Sequence, residues 1–298
     1  MAVSLQGCLV IGISSRALFD LHRENKIYEE KGLEAYTAFQ IEHEDDVLAP
    51  GSGFSLVKAL LNLNTLSDKR LVEVIVMSRN SADTSLRVFH SIEHYGLDIT
   101  RAVLAGGSDL APYLNAFQVD LFLSADAMDV QLAINANVAA GQIYTDIVLP
   151  ECQSIDQIRI AFDGDAVLFS GESEQIFQQY GLEAFVENER RNANQPLLEG
   201  PFAKFLKTLS HIQASFDEPH SPIRTALVTA RNAPAHERVI RTLREWNVRI
   251  DEAFFLGGLQ KRDVLEAFGA HIFFDDQKSH LEPARSVVPS ARVPYRKE

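Results

Sequence analysis

Two carboxylates one residue apart, Asp163 and Asp165, interrupt an otherwise apolar run, Arg159-Ile-Ala-Phe-Asp-Gly-Asp-Ala-Val-Leu-Phe-Ser170. A strand sends successive side chains to opposite faces, so carboxylates two apart project the same way from its carboxyl end. In open α/β sheets that end borders the ligand crevice. The rival reading, a surface Asp-Gly turn, accounts for Gly164 but less well for two carboxylates between core-like runs. Three further strand ends carry chemistry. Thr229 closes Ala226-Leu-Val, Lys261 follows Gly257-Gly-Leu-Gln at an expected helix start, and Asp275-Asp276 close His271-Ile-Phe-Phe. Taken singly, Thr229 and the Asp pair read as helix caps and Lys261 as a solvated surface lysine. A parallel sheet would instead gather all six around one crevice. Four crowded carboxylates repel unless a cation sits among them, and oxygen donors without His or Cys favour Mg²⁺.

The elements that must position these residues are written twice. Leu18-Phe19 recurs as Leu168-Phe169, Gly32-Leu-Glu-Ala-Tyr36 as Gly181-Leu-Glu-Ala-Phe185, and Val76-Met-Ser-Arg-Asn80 as Val228-Thr-Ala-Arg-Asn232, at a spacing of about 150. A repeat this long implies two whole domains, unlike the short units of a solenoid. The predicted strands of the first copy are Leu9–Ile13, Val72–Met77, Ala102–Ala105 and Val119–Leu123. Those of the second are Ile158–Phe162, Thr225–Val228, Ala253–Leu256 and His271–Phe274. Helices are expected between them, at Glu24–Glu44, Phe54–Leu63 and Thr84–His94 in the first copy. The expected fold is α/β, two tandem Rossmann-like lobes with mainly parallel sheets, helical cap inserts and an internal duplication. The lobes are 1–149 and 150–298, with a boundary near Leu149 to Ser154 and a cap at about 171–220.

Composition narrows the partners. The 298 residues are 46% hydrophobic and carry a formal charge of −13. That charge argues against polymeric nucleic acid and anionic membranes, because no basic field collects phosphates. No stretch reaches the ~20 apolar residues of a membrane span. The two cysteines, Cys8 and Cys152, form no close pair suggesting zinc or a redox couple. A cytoplasmic setting is expected. No P-loop, no Gly-x-Gly-x-x-Gly after a strand and no Gly-x-Ser-x-Gly elbow is present.

Asp163-Gly-Asp165-Ala-Val, Thr229, Lys261 and Asp275-Asp276 together resemble the four motifs of the haloacid dehalogenase-like phosphatases. More narrowly, Ser15-Arg-Ala-Leu-Phe-Asp20, Phe162-Asp-Gly-Asp-Ala-Val-Leu-Phe169, Val228-Thr-Ala-Arg231 and Phe273-Phe-Asp-Asp-Gln277 resemble the cytosolic 5'-nucleotidase I family. The resemblance implies Mg²⁺-dependent hydrolysis of nucleoside 5'-monophosphates, AMP first, through an aspartyl phosphate. It implies Asp163 as nucleophile, Asp165 as acid and base, Thr229 as a phosphoryl hydrogen-bond donor and Lys261 as charge neutraliser. The implied metal set is Asp163, the Asp165 backbone carbonyl, Asp275 and, directly or through water, Asp276. Arg231 and Asn232 would touch substrate or tie down a loop. A phosphatase or phosphotransferase acting on another small ester, or a nucleotide-binding regulator without turnover, are the alternatives. A nucleotide effector and a homo-oligomer are further expectations.

The first copy departs from this pattern. Ile13 stands where Asp163 does, Ser15 for Asp165, Met77 for Thr229, Leu110 for Lys261, and Ser124-Ala125 for Asp275-Asp276. Without anionic ligands this lobe should bind Mg²⁺ poorly and lack phosphatase activity. Ser14, Ser15, Arg16, Ser78, Arg79, Asn80 and Asp126 would still line its strand ends. Arg16, Arg79 and Asn80 are therefore candidates to bind a nucleotide there, the other reading being a scaffold of satisfied loops.

Overall fold

A computed structural model describes residues 5–146, 156–217 and 220–296. The boundary expected near Leu149 to Ser154 lies outside the described residues. The described chain divides into two compact units, 5–138 with 142–146, and 139–141 with 156–296.

The first unit runs β1 (Leu9–Ile13), α1 (Ser15–Leu18), α2 (His22–Glu42), α3 (Phe54–Asn62), β2 (Val72–Ser78), α4 (Leu86–His94), β3 (Arg101–Leu104), α5 (Ala111–Ala116), β4 (Leu121–Ser124) and α6 (Ala127–Asn135), and β5 (Ala139–Ile143), whose residues are divided between the two units, follows. Strand order is β3-β2-β1-β4-β5, and β1 pairs parallel with both β2 and β4. Every residue of β1 and β2 is buried, so β1 reads as an apolar run and β2 as one broken by Glu73, rather than as alternating ones.

The second unit runs β6 (Ile158–Phe162), α7 (Glu172–Arg191), α8 (Ala203–Gln213), β7 (Ile223–Thr229), α9 (His236–Glu245), β8 (Glu252–Phe255), α10 (Arg262–Phe268), β9 (Ile272–Asp275), α11 (Lys278–Ala284) and β10 (Ser290–Arg292). Its order, β8-β7-β6-β9-β10, repeats that of the first unit, again with parallel pairs. The protein is thus mixed α/β with largely parallel sheet. Among the described residues no helix is long and apolar enough to cross a membrane.

Internal details recur as well. The long helices α2 and α7 each break at one residue, Gly32 (φ 82°, ψ −177°) and Gly181 (φ 81°, ψ −177°). Only glycine takes that backbone without strain, so the single helix expected over Glu24–Glu44 is two helices meeting at a kink. Arg87 Nε donates to Asp46 O and Arg238 Nε to Gln195 O, both at 2.9 Å. The buried partner of each arginine comes from opposite sides of the kink. It is Glu24 for Arg87 at 2.6 Å, but Glu189 for Arg238 at 2.9 Å. A second pair is reversed in sign, since Glu73 on β2 pairs with Arg101 on β3, whereas Arg224 on β7 pairs with Glu252 on β8.

Gly200 marks a close approach of backbones. A Cβ there would lie 2.4 Å from Phe169 O and 2.5 Å from Val167 O. Gly200→Ala should therefore cost about 2–4 kcal/mol, read as a lowered urea midpoint, because backbone cannot swing aside as a side chain can.

Candidate active site

The chain leaves β6 at Phe162, and Asp163 is pinned beside β9 by its N–H donating to Phe274 O at 2.8 Å. Beyond it the backbone curls, with Phe169 N–H bonded to Gly164 O and Ala166 at φ 61°. Strand alternation has ended here, and the two carboxylates take different partners. Asp163 turns to Lys261, while Asp165 receives a bidentate guanidinium from Arg231, at 2.8 and 2.6 Å.

Lys261, just before α10, donates from one Nζ to Asp163 Oδ1 at 2.6 Å and to Asp275 Oδ2 at 2.7 Å. All three side chains are buried. Asp275 closes β9 and is held further by Gln277 N–H at 2.8 Å and His280 Nδ1 at 3.1 Å. The next residue, Asp276, accepts from the Tyr295 hydroxyl at 2.5 Å through Oδ2, while its buried Oδ1 has no hydrogen-bond partner among the described residues. Oxygens of Asp163, Asp275 and Asp276 lie within 4.8 Å of one another. The Asp165 carboxylate is not part of that trio.

Burial pushes the Asp163 carboxyl well above the usual range. Lys261 opposes that rise, and Asp275, Asp276 and Asp165 add to it. Burial also lifts Asp276 to about 6. Asp275 goes the other way despite its burial, held down by Lys261 and His280. Lys261 is raised, because Asp163 and Asp275 outweigh the cost of burying its charge. Three buried carboxylates, two of them on one ammonium and the third with an oxygen left unpaired, make a cradle suited to a small hard cation.

Thr229 ends β7, its Oγ1 accepting Arg231 N–H at 3.2 Å and lying against Gly164, where a Cβ would come within 3.4 Å. Asn232 is exposed and packs beside Gly257. Arg231 also pairs with Glu189 of α7, and its guanidinium lies 5.3 Å from the Phe185 ring centroid. Glu189 in turn accepts from Arg238 and Ser173. Glu189 has no signal in the sequence, because its helical segment reads as an exposed charged face. Replacing Glu189 with Gln should destabilise the chain by about 3–5 kcal/mol in urea unfolding, since two buried guanidiniums lose a carboxylate. Arg16, Arg79 and Asn80 are not in this cluster; they line a cavity of the first unit.

The model of a family described as 5'-nucleotidase matches residues 1–298. Human cytosolic 5'-nucleotidase 1B is 38% identical over 98% of this chain and 50% of its own length. The chain thus spans about half of that curated relative. Solved structures are far more remote. "Structure of Pnkp1/Rnl/Hen1 complex" shows 12% identity and a TM-score of 0.35 over 98% of this chain and 99% of that one. Histidinol dehydrogenase from Elizabethkingia anophelis shows 9% identity and 0.23 over 81% and 49%. Both values are too low to bear on the fold. On the match along its whole length, and on its identity to the human protein, the chain belongs to the 5'-nucleotidase family.

Proposed function

We propose that this chain hydrolyses nucleoside 5'-monophosphates to nucleoside and inorganic phosphate, AMP being the first substrate to test, and that the second unit carries the chemistry. The observation behind this reading is the Asp163–Lys261–Asp275 cluster with Asp276 beside it. The two units read as haloacid dehalogenase-like lobes of common origin, supported by their shared strand order and paired glycine kinks. In this reading α7 and α8 form a small cap over the catalytic lobe, and the setting is the cytosol, as the name of the human relative suggests.

Asp163, Asp275 and Asp276 would hold Mg²⁺, with the Asp165 backbone carbonyl. The ion, when bound, would neutralise carboxylate charge and polarise a phosphoryl oxygen. Asp163 Oδ attacks phosphorus in line, forming an O–P bond as the bond to the 5'-oxygen breaks. Asp165 delivers the proton that the leaving oxygen requires. It later takes one from the water that opens the aspartyl phosphate, releasing phosphate and restoring Asp163. Both Asp165 oxygens accept from Arg231. Arg231, anchored by Glu189, thereby orients the acid. Lys261 and Thr229 would donate to the transferring group.

The test is phosphate release from a panel of nucleoside monophosphates and other small phosphate esters, with Mg²⁺ and with EDTA. Release with Mg²⁺ and preference for nucleotides are expected. Absence of release from every ester would sink the proposal. Apparent Mg²⁺ affinity should fall as pH drops below about 6, because protons then compete for Asp276, as titration calorimetry would register.

A further inference from the structure

A cavity of about 430 Å³ opens within the first unit, in the ~300–1,000 Å³ range of small-molecule sites. Its floor holds Ser14, Ser15, Arg16 and Ser78, the hydroxyls of Ser15 and Ser78 lying 3.3 Å apart. Its outer wall is Tyr28, Leu33 and Tyr36 from the kinked α2, with Tyr28 and Leu33 exposed. At the positions matching Asp163, Lys261 and Asp275 stand Ile13, Leu110 and Ser124, so no carboxylate trio exists to hold a cation.

The acidic groups lining the cavity are each already engaged. Glu24 is taken by Arg87, and Asp129 by Arg79. Asp126 caps α6, accepting the N–H groups of Met128 and Asp129 at 2.8 and 3.0 Å. Among the described residues Arg16 has neither ion-pair nor hydrogen-bond partner, and it is half-buried on the cavity floor. One unspent guanidinium beside buried hydroxyls, facing an aromatic and aliphatic rim, is complementary to an anion joined to a planar ring.

We propose that this cavity binds a ring-bearing phosphate monoester, of the nucleoside monophosphate class, without a metal and without hydrolysing it. The phosphate lies against Arg16 and the serine hydroxyls, and the ring lies between Tyr28 and Leu33.

The experiment is titration calorimetry of the whole chain in EDTA with AMP as probe, with adenosine and inorganic phosphate as controls. AMP should bind one site, and each control at least about tenfold more weakly. Arg16→Ala should weaken AMP by about tenfold or more and leave adenosine unchanged. Leu33→Glu, at an exposed position where folding is not at stake, should weaken AMP as well. No AMP binding in EDTA, adenosine binding as tightly as AMP, or AMP binding indifferent to both substitutions would overturn the proposal. Phosphate release with Mg²⁺ from the same preparation reports separately on the second unit, so the two readings fail independently.

Discussion

Asp163→Asn should reduce phosphate release from a nucleoside monophosphate by about 10⁴-fold or more, since the amide cannot form the acyl phosphate on which turnover depends. The fold should survive. Asp163 is buried among acidic neighbours that push its carboxyl upward, so an isosteric neutral group relieves repulsion. In EDTA the melting temperature should stay level or rise. With Mg²⁺ the order should reverse, because the parent gains stability from an ion its three carboxylates hold, and the variant offers one fewer charged ligand. Undiminished turnover in the variant would remove Asp163 from the nucleophile's role.

Lys261→Met should destabilise the fold by about 3–5 kcal/mol near neutral pH without metal, as it strands Asp163 and Asp275 in the interior. Phosphate release should fall by about 10²- to 10³-fold as well. The penalty depends on pH in a definite direction. Lys261 titrates above its ordinary value of 10.5, so its contribution is complete below that pH and is lost as pH rises through the folded value. Asp275 titrates below 3.8, so its contribution is present above that pH and is lost as pH falls through its folded value. Asp163, raised by burial, instead penalises the fold as it ionises, and more so without the lysine. Parent and variant should therefore converge in acid, a trend urea unfolding in EDTA at pH 5, 7 and 9 would measure.

The strands at the heart of both units were legible because burial favours runs dominated by apolar residues, Arg159 being the one charged residue in Ile158–Phe162. Leu9–Ile13 and Ile158–Phe162 end where the pattern predicts. The flanking strands β5 and β10 escaped notice. Ala139-Ala-Gly-Gln-Ile143 has little strand propensity, and Ser290–Arg292 is only three residues long. Asp163, Lys261, Asp275 and Asp276 were readable because each sits at or just past a strand end, where parallel sheet makes distant residues neighbours. The partner of Asp165 was not readable. Its link to Arg231 depends on how the chain curls after β6, and the anchoring of Arg231 by Glu189 depends on the glycine break in α7. Neither has a one-dimensional pattern.

The two halves satisfy matching charges with different assignments, and that limits what can be exchanged between them. A graft carrying β2 beside the counterpart of β3 would set Glu73 against Glu252, and the reciprocal graft Arg224 against Arg101. Transplanting only the amino-terminal part of α7 into the first half would deprive Arg87 of its acid, whereas transplanting only the carboxy-terminal part would supply two. Divergence between the halves must have passed through states with a surplus or a deficit of carboxylates. The surplus is the passable route, because a second acid can be solvated or protonated while a stranded guanidinium cannot shed its charge.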